Sequence, residues 1–546
     1  MSTPNDTSPE KSDGSQQIFT RQATGLVRSV SPLTSLIINF TPGNPVQAIA
    51  AGLLFALSLF AGGNIFLAIV LILPMTLAFS YAYGLLTAAM PRTGGDYTLV
   101  SRILHPSLGV GVAFFQAVAQ FLSVSFFAIA FVQIAIAPGL TAWGVIDGHP
   151  TLVDWGNTLA TSQGWQLGLG IVMIALTALI MAGGWGWTSR ALFVLAAMTI
   201  LGLVVTLIIA IFTSHAEFIA AFNEVLGSST GKANSYDDVL STATSAGVIL
   251  DPPVSFVKTI PLLAVMSTFA IYTYFSSYVG GELRSGGTIG TANRMALAGI
   301  LNLSIVFVSV LIFFHTFGQD FLTAAYGGGM PAEVPVPPYY FFLVGVVTHS
   351  GIVAMLLALS LAAFWPLIAF IAFLQPVRTS FAFAFDGILP KGVTKVSRSH
   401  SPYIAVIATA IVCSITLVWA IYVAKSFFTV LVYATVMGLV AMSTLGFAAM
   451  VFPWRRPEIY RASSTVRSLL GIPLVSIAGA AAVISGITLL FLFFKYEALG
   501  IADTAPLFQW LGGTILVAIV FYVAAIYYRR SQGVDVLRAY AEIPPE

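Results

Sequence analysis

Twelve apolar stretches constrain this chain more than any other feature. They run over residues 31–59, 64–90, 108–138, 165–183, 189–213, 258–282, 293–317, 349–376, 402–423, 427–452, 470–494 and 508–528. Each has roughly the 20 residues that a helix needs to cross the hydrocarbon core of a bilayer. Only 8% of the 546 residues are charged and 58% are hydrophobic, whereas soluble domains carry about 25% charged residues. Mean hydropathy is +0.93. The expected fold is therefore an all-α polytopic membrane protein with about twelve transmembrane helices. The net charge of +2, divided among loops, gives no reason to expect a nucleic-acid partner. The single cysteine, Cys413, excludes a disulfide within the chain.

Charge placement fixes an expected orientation. With both termini in the cytoplasm, the outer loops hold only Lys232, Lys258, Lys425 and Lys495, and the other 19 of the 23 basic residues lie in inner loops and tails. That is the asymmetry of the positive-inside rule. Residues 1–20 are polar and form an expected disordered cytoplasmic tail, with a second short tail at 531–546. Pro91 to Pro106 is too polar to span and is expected as a short helix along the inner surface. The long outer loops at Ser214–Val257 and Gly318–Pro338 are expected to serve as tethers or as caps over an outer vestibule.

The first stretch is interrupted at its middle by Asn39-Phe40-Thr41-Pro42-Gly43-Asn44-Pro45. Each proline removes a backbone donor and clashes with the preceding turn, and the residues before them, Thr41 and Asn44, are biased away from helical dihedrals. Two half-helices joined by unwound backbone are expected. Such backbone is tolerated at membrane depth only where protein buries it or where it lines a cavity. Its free N–H groups suit an anion and its free carbonyls suit a cation, the usual logic of a transporter site. A simple kink without a ligand is the alternative. The sixth stretch is interrupted more weakly, by Ser267-Thr268 and by Tyr272-Thr273-Tyr274, with no proline at its middle.

Several segments resemble the amino acid–polyamine–organocation transporters. Pro91-Arg92-Thr93-Gly94-Gly95-Asp96-Tyr97 is similar to that family's first inner loop. Asp386-Gly387-Ile388-Leu389-Pro390-Lys391 looks like its loop after helix eight, Phe452 to Arg461 like its basic loop after helix ten, and Gly281-Glu282-Leu283-Arg284 like the acidic end of its helix six. The resemblance covers most of residues 25–490. It implies a LeuT-like fold: two inverted five-helix repeats with helices 1 and 6 broken, in a core spanning 21–452, and two further helices within 453–530. It also implies alternating access.

The chain departs from the family where substrate is held. Asn39-Phe40-Thr41 stands where a glycine-rich stretch is usual, and Tyr272 and Tyr274 stand where small or acidic residues are usual, so a tighter, more aromatic pocket is expected. A lysine that some proton-coupled relatives carry in helix five has no counterpart in Ala196 to Leu203, which leaves Na+ or H+ open as the coupling ion, or exchange without either. The resemblance puts Gln120 near substrate level; an interhelical hydrogen bond is its alternative role.

The expectation is a secondary transporter of an amino acid or related small amine, working in the cell membrane without a cofactor, as monomer or homodimer. The substrate carboxylate is expected at Asn39, Phe40, Thr41, Pro42, Gly43 and Asn44, and its ammonium at the carbonyls of Phe269, Ala270, Ile271 and Tyr272. Tyr274, Gln120 and Trp365 would shape or close the pocket, and Glu282 with Arg284 would form an inner gate. A polyamine or organic-cation transporter, a channel and a non-transporting sensor are the alternatives. No nucleophile, paired carboxylates or metal cluster marks a membrane enzyme.

Overall fold

The computed structural model describes residues 28–43, 45–60, 62–390, 392, 397, 401–424, 426–499, 504–532 and 540. The N-terminal tail, most of the C-terminal tail, Asn44 and Lys391 lie outside the described residues.

Among the described residues, ten helices are long and apolar enough to cross a membrane. The first apolar stretch begins with α1 (Pro32–Phe40), and the long helices start with α2 (Ile65–Ala89). A short helix α3 (Gly95–Ile103) follows, and then come α4 (Pro106–Ile146), α5 (Gln163–Ala182) and α6 (Trp185–Ile211). Two extramembrane helices, α7 (His215–Thr230) and α8 (Ser235–Ser245), precede α9 (Leu262–Ala270). The remaining long helices are α10 (Gly290–Phe317), α11 (Gly351–Phe385), α12 (Tyr403–Ala424), α13 (Phe428–Arg455), α14 (Leu474–Lys495) and α15 (Ala505–Ser531). These ten match ten of the twelve expected stretches, and the other two are the interrupted ones. The only strands among the described residues are a two-residue hairpin, Ser468–Leu469 with Ile472–Pro473.

The helices outrun their expected ends where polar or proline residues misled the reading. Helix α4 continues eight residues past 138 through a widened turn at Phe131–Ile136. Helix α11 continues to Phe385 with Pro366 and Pro376 inside it. A membrane helix tolerates such prolines because neighbouring helices satisfy the freed groups.

Two expectations about loops fail. Helix α3 does not lie on the inner surface, because every residue from Gly95 to Ile103 is buried, packed against α4, α13 and α11. Nor is the first long outer loop a tether. A capping box starts α7, in which the Ser214 side chain accepts from the Glu217 N–H and the Glu217 carboxylate accepts from the Ser214 N–H. Phe218 and Phe222 of α7 then meet Phe317 and Phe321, with Tyr236 of α8 stacked on Phe321 at 5.0 Å. Buried aromatic rings explain why this segment is fixed: packing such area outweighs the entropy of a polar linker.

The glycine pair of the inner loop has a steric reason. Gly94 and Gly95 have φ of +111° and +49°, conformations that side chains rarely adopt. A Cβ on Gly95 would enter the Tyr278 ring. We expect Gly95→Ala to destabilise the protein by about 2–4 kcal/mol, from the left-handed backbone and the overpacking together, read as a fall in apparent unfolding temperature in detergent. Gly168→Ala, with open space around its position, should leave that temperature unchanged or raise it.

Candidate functional site

The two interrupted stretches meet. In the first, Thr41–Gly43 forms a tight 3-10 turn, Pro45–Gln47 resumes the helix and Ala48–Gly52 forms a wide π turn before Leu53–Leu59. The expected unwinding is therefore confined to a compact change of helical pitch. Thr41 keeps αR dihedrals although Pro42 follows it. Side chains add bonds to carbonyls at the end of α1, next to the turn. Thr41 Oγ1 donates to the Ile37 carbonyl at 2.8 Å, and Asn302 Nδ2 of α10 donates to the Phe40 carbonyl at 3.0 Å.

The second interruption is the deeper one, against the sequence expectation. The chain leaves helical geometry after Ala270, runs irregularly through residues 271–274, and then makes only 3-10 turns at Phe275–Tyr278 and Gly280–Glu282. Its aromatic and β-branched residues are modest helix formers, and tertiary bonds hold them out of helix. Thr273 Oγ1 lies 2.6 Å from Ser80 Oγ, Tyr274 accepts from Gln116 Nε2 at 2.6 Å, and the Tyr278 hydroxyl donates to Asp96.

Asn39 ties the two interruptions together. Its Nδ2 donates to Ser276 Oγ at 3.0 Å and its Oδ1 accepts from the Ser276 N–H at 2.9 Å. With both groups so engaged and the side chain fully buried, Asn39 positions the site instead of lining it.

Between the interruptions lies a small cavity of about 30 Å³, room for a water molecule or two. Pro42 and Gln47 line it from the first stretch, Thr268, Tyr272 and Phe275 from the second, Gln120 and Phe127 from α4, and Thr435 from α13. Of the residues expected to hold substrate, Pro42, Tyr272 and Gln120 line this cavity. Gly43 and Phe269 sit just behind, the Phe269 carbonyl 3.1 Å from where a Cβ on Gly43 would lie. The last turn of α9 leaves carbonyls without intrahelical partners, which covers the expected positions Phe269 and Ala270. Ile271 and Tyr274 are buried, Tyr274 stacked on Tyr83 at 3.8 Å. Phe40 is partly buried beside the turn and Asn44 is not described.

Trp365 is away from the cavity. It is fully buried with its ring against Phe126, Phe127 and Phe364 at 5.1–6.2 Å, so it backs Phe127, which does line the cavity. Glu282 is not paired with Arg284, whose side chain is exposed. Its partner is Arg378 of α11, with Nη2 donating to Oε2 at 3.0 Å and Nε 2.9 Å from Oε1. A second buried pair joins Arg102 to Asp386 at 2.6 Å, and Tyr97 donates to the same carboxylate.

Gln47 and Thr435 escaped the sequence reading, and Thr268 entered it only as part of the interruption of the sixth stretch. Their signal was present, because a polar side chain within an apolar stretch is a candidate by default. Gln47 is 2% exposed and its Oε1 has no hydrogen-bond partner. The cavity lining has no acidic or basic side chain. Among the described residues, no group of three or more His, Cys, Asp or Glu could hold a metal ion.

Compared with known proteins, the chain matches the model of the amino acid permease family over residues 29–521. No curated protein matches it.

Proposed function

The chain belongs to the amino acid permease family, a family of transporters of amino acids or related compounds, and from that membership we propose that it moves a neutral amino acid by alternating access. The observation that carries the substrate class is the cavity at the meeting of two broken helices, lined by polar and aromatic groups without any formal charge. An α-ammonium is served by the carbonyls at Phe269 to Tyr272 and by the unpartnered Gln47 Oε1. An α-carboxylate is served by the Gln120 amide, which lines the cavity. Phe127, Tyr272 and Phe275 face the side chain and favour an apolar one. A polyamine would bring two or more positive charges to a lining with no carboxylate, which is costly in a low-dielectric site. At about 30 Å³ the cavity has room for water but not for an amino acid, so binding requires lining side chains such as Tyr272 or Phe127 to move aside. Both termini belong to the cytoplasmic side in this reading.

The test is a thermal-shift screen of purified protein in detergent against amino acids, polyamines and nucleobases, with and without sodium and at two pH values. Ligand at about a hundredfold its Kd stabilises the bound state by about 2.7 kcal/mol. Neutral amino acids with apolar side chains should raise the unfolding temperature. Replacing Thr41-Pro42-Gly43 by three alanines should abolish that rise. Shifts with polyamines alone, or an undiminished shift in the triple-alanine chain, overturn the assignment.

A further inference from the structure

Asp96 stands out among the carboxylates of this structure. It is fully buried on α3, in the loop joining α2 to α4. The Tyr278 hydroxyl donates to its Oδ2, but Oδ1 has no hydrogen-bond partner, and no ion pair reaches it among the described residues. A buried carboxylate without a cation is costly as an anion and comfortable as a neutral acid.

The groups that face it from each packed element are of one kind. Helix α2 contributes the Tyr83 hydroxyl, and the sixth stretch contributes Tyr278 and, behind it, Tyr274. The nearby cations are engaged elsewhere: Arg102 of its own helix with Asp386, Arg378 of α11 with Glu282, and Arg456, just after α13, with the Arg102 carbonyl at 2.6 Å. Arg92 donates to the Pro91 carbonyl at 3.1 Å, and Gln116 of α4 donates to Tyr274.

The loop carrying Asp96 is pressed on the sixth stretch. Thr93 pairs with Val279 in a backbone bridge, the Gly94 N–H donates to the Tyr278 carbonyl at 3.2 Å, and the glycine pair lets the loop approach the Tyr278 ring. Any movement of the sixth stretch relative to this loop requires this contact to part or shift.

We propose that Asp96 is a proton-binding site that controls the contact between this loop and the broken sixth stretch. The neutral carboxyl holds the contact closed. Loss of the proton leaves an anion that the dry site disfavours, and the contact opens toward water. The step adds or removes one proton at the carboxylate, with no other bond made or broken. Burial pushes the Asp96 carboxyl up to about 6, while the Tyr278 and Tyr83 hydroxyls act in the opposite direction by favouring the anion.

This proposal rests on the transporter reading, and two measurements on the full chain separate their failures. The first is infrared titration of the carboxyl band in detergent. The wild-type chain should show a protonated carboxyl that disappears between about pH 5 and about pH 7.5 and that Asp96→Asn lacks. Tyr278→Phe, which removes a bond to the anion, should move the midpoint upward. An Asp96 ionised throughout that range, or an unmoved midpoint in Tyr278→Phe, overturns the site whether or not transport is seen.

The second is efflux of a mixture of radiolabelled neutral amino acids from proteoliposomes with the same pH on both sides. Wild-type efflux should rise about tenfold across that interval, following the ionised fraction, and Asp96→Asn should lose the dependence. A flux independent of pH overturns the gating role and leaves amino acid transport standing. No flux at any pH sinks the transporter reading, and the infrared titration then decides the proton site alone.

Discussion

Arg378→Ala is expected to lower stability by about 3–5 kcal/mol, the cost of leaving a buried charge without its partner. Glu282 and Arg378 have side chains only 4% and 7% exposed, so water cannot take over either charge. Glu282→Gln should cost a comparable amount, because the guanidinium then faces a neutral amide. The double variant Glu282→Met with Arg378→Met should recover most of the loss. An apolar pair of similar volume often equals a buried ion pair in stability. Arg284→Ala should change almost nothing, since that side chain lies in solvent. The measurement is apparent unfolding temperature in one detergent for all five proteins. An Arg284→Ala loss equal to that of Arg378→Ala would restore the pairing that sequence proximity suggested. A double variant as unstable as the singles would mean that the two charges do not depend on one another.

That contrast shows what was legible in the sequence. The positions of the apolar stretches, the charge asymmetry and the interruption at Pro42 and Pro45 are local signals, and local signals survive folding. Ten stretches became long helices near the expected places. The partner of Glu282 was not local: Arg284 is two residues away in sequence, while Arg378 comes from a helix ninety-six residues on. The depth of the two interruptions was misjudged for a related reason. Proline is a strong breaker in the abstract, but side-chain bonds from Thr41 and Asn302 to the Ile37 and Phe40 carbonyls tie down the end of α1, and the described residues there keep a helical sense. The sixth stretch has no central proline, yet Ser80, Gln116, Asn39 and Asp96, all from other segments, hold it open. Tertiary hydrogen bonds override propensity in both cases, and no window of sequence contains them. Gln47 is a different miss. It is a lone amide in an apolar run, and nothing in the run itself says whether folding gives such a group a partner.

Asn39→Ala is expected to cost about 2–4 kcal/mol, because it removes two buried hydrogen bonds and leaves the Ser276 N–H without an acceptor in a dry interior. Ser276→Ala removes only the hydroxyl and should cost about 1–2 kcal/mol, since the backbone N–H keeps its bond to Asn39 Oδ1 at 2.9 Å. The double variant should then be little worse than Asn39→Ala alone, because the first change has already broken both contacts. Function should follow the same order for a mechanical reason. The cavity exists only where Pro42 and Gln47 face Tyr272 and Phe275, and Asn39 is the side chain that sets one interruption against the other. Ligand-induced thermal shifts should therefore vanish in Asn39→Ala and persist, reduced, in Ser276→Ala. Equal losses in the two single variants would mean that the Ser276 hydroxyl carries the contact and the backbone bond does not. An Asn39→Ala chain that folds and binds normally would mean that the site is held by packing around the two interruptions, with the asparagine a passenger.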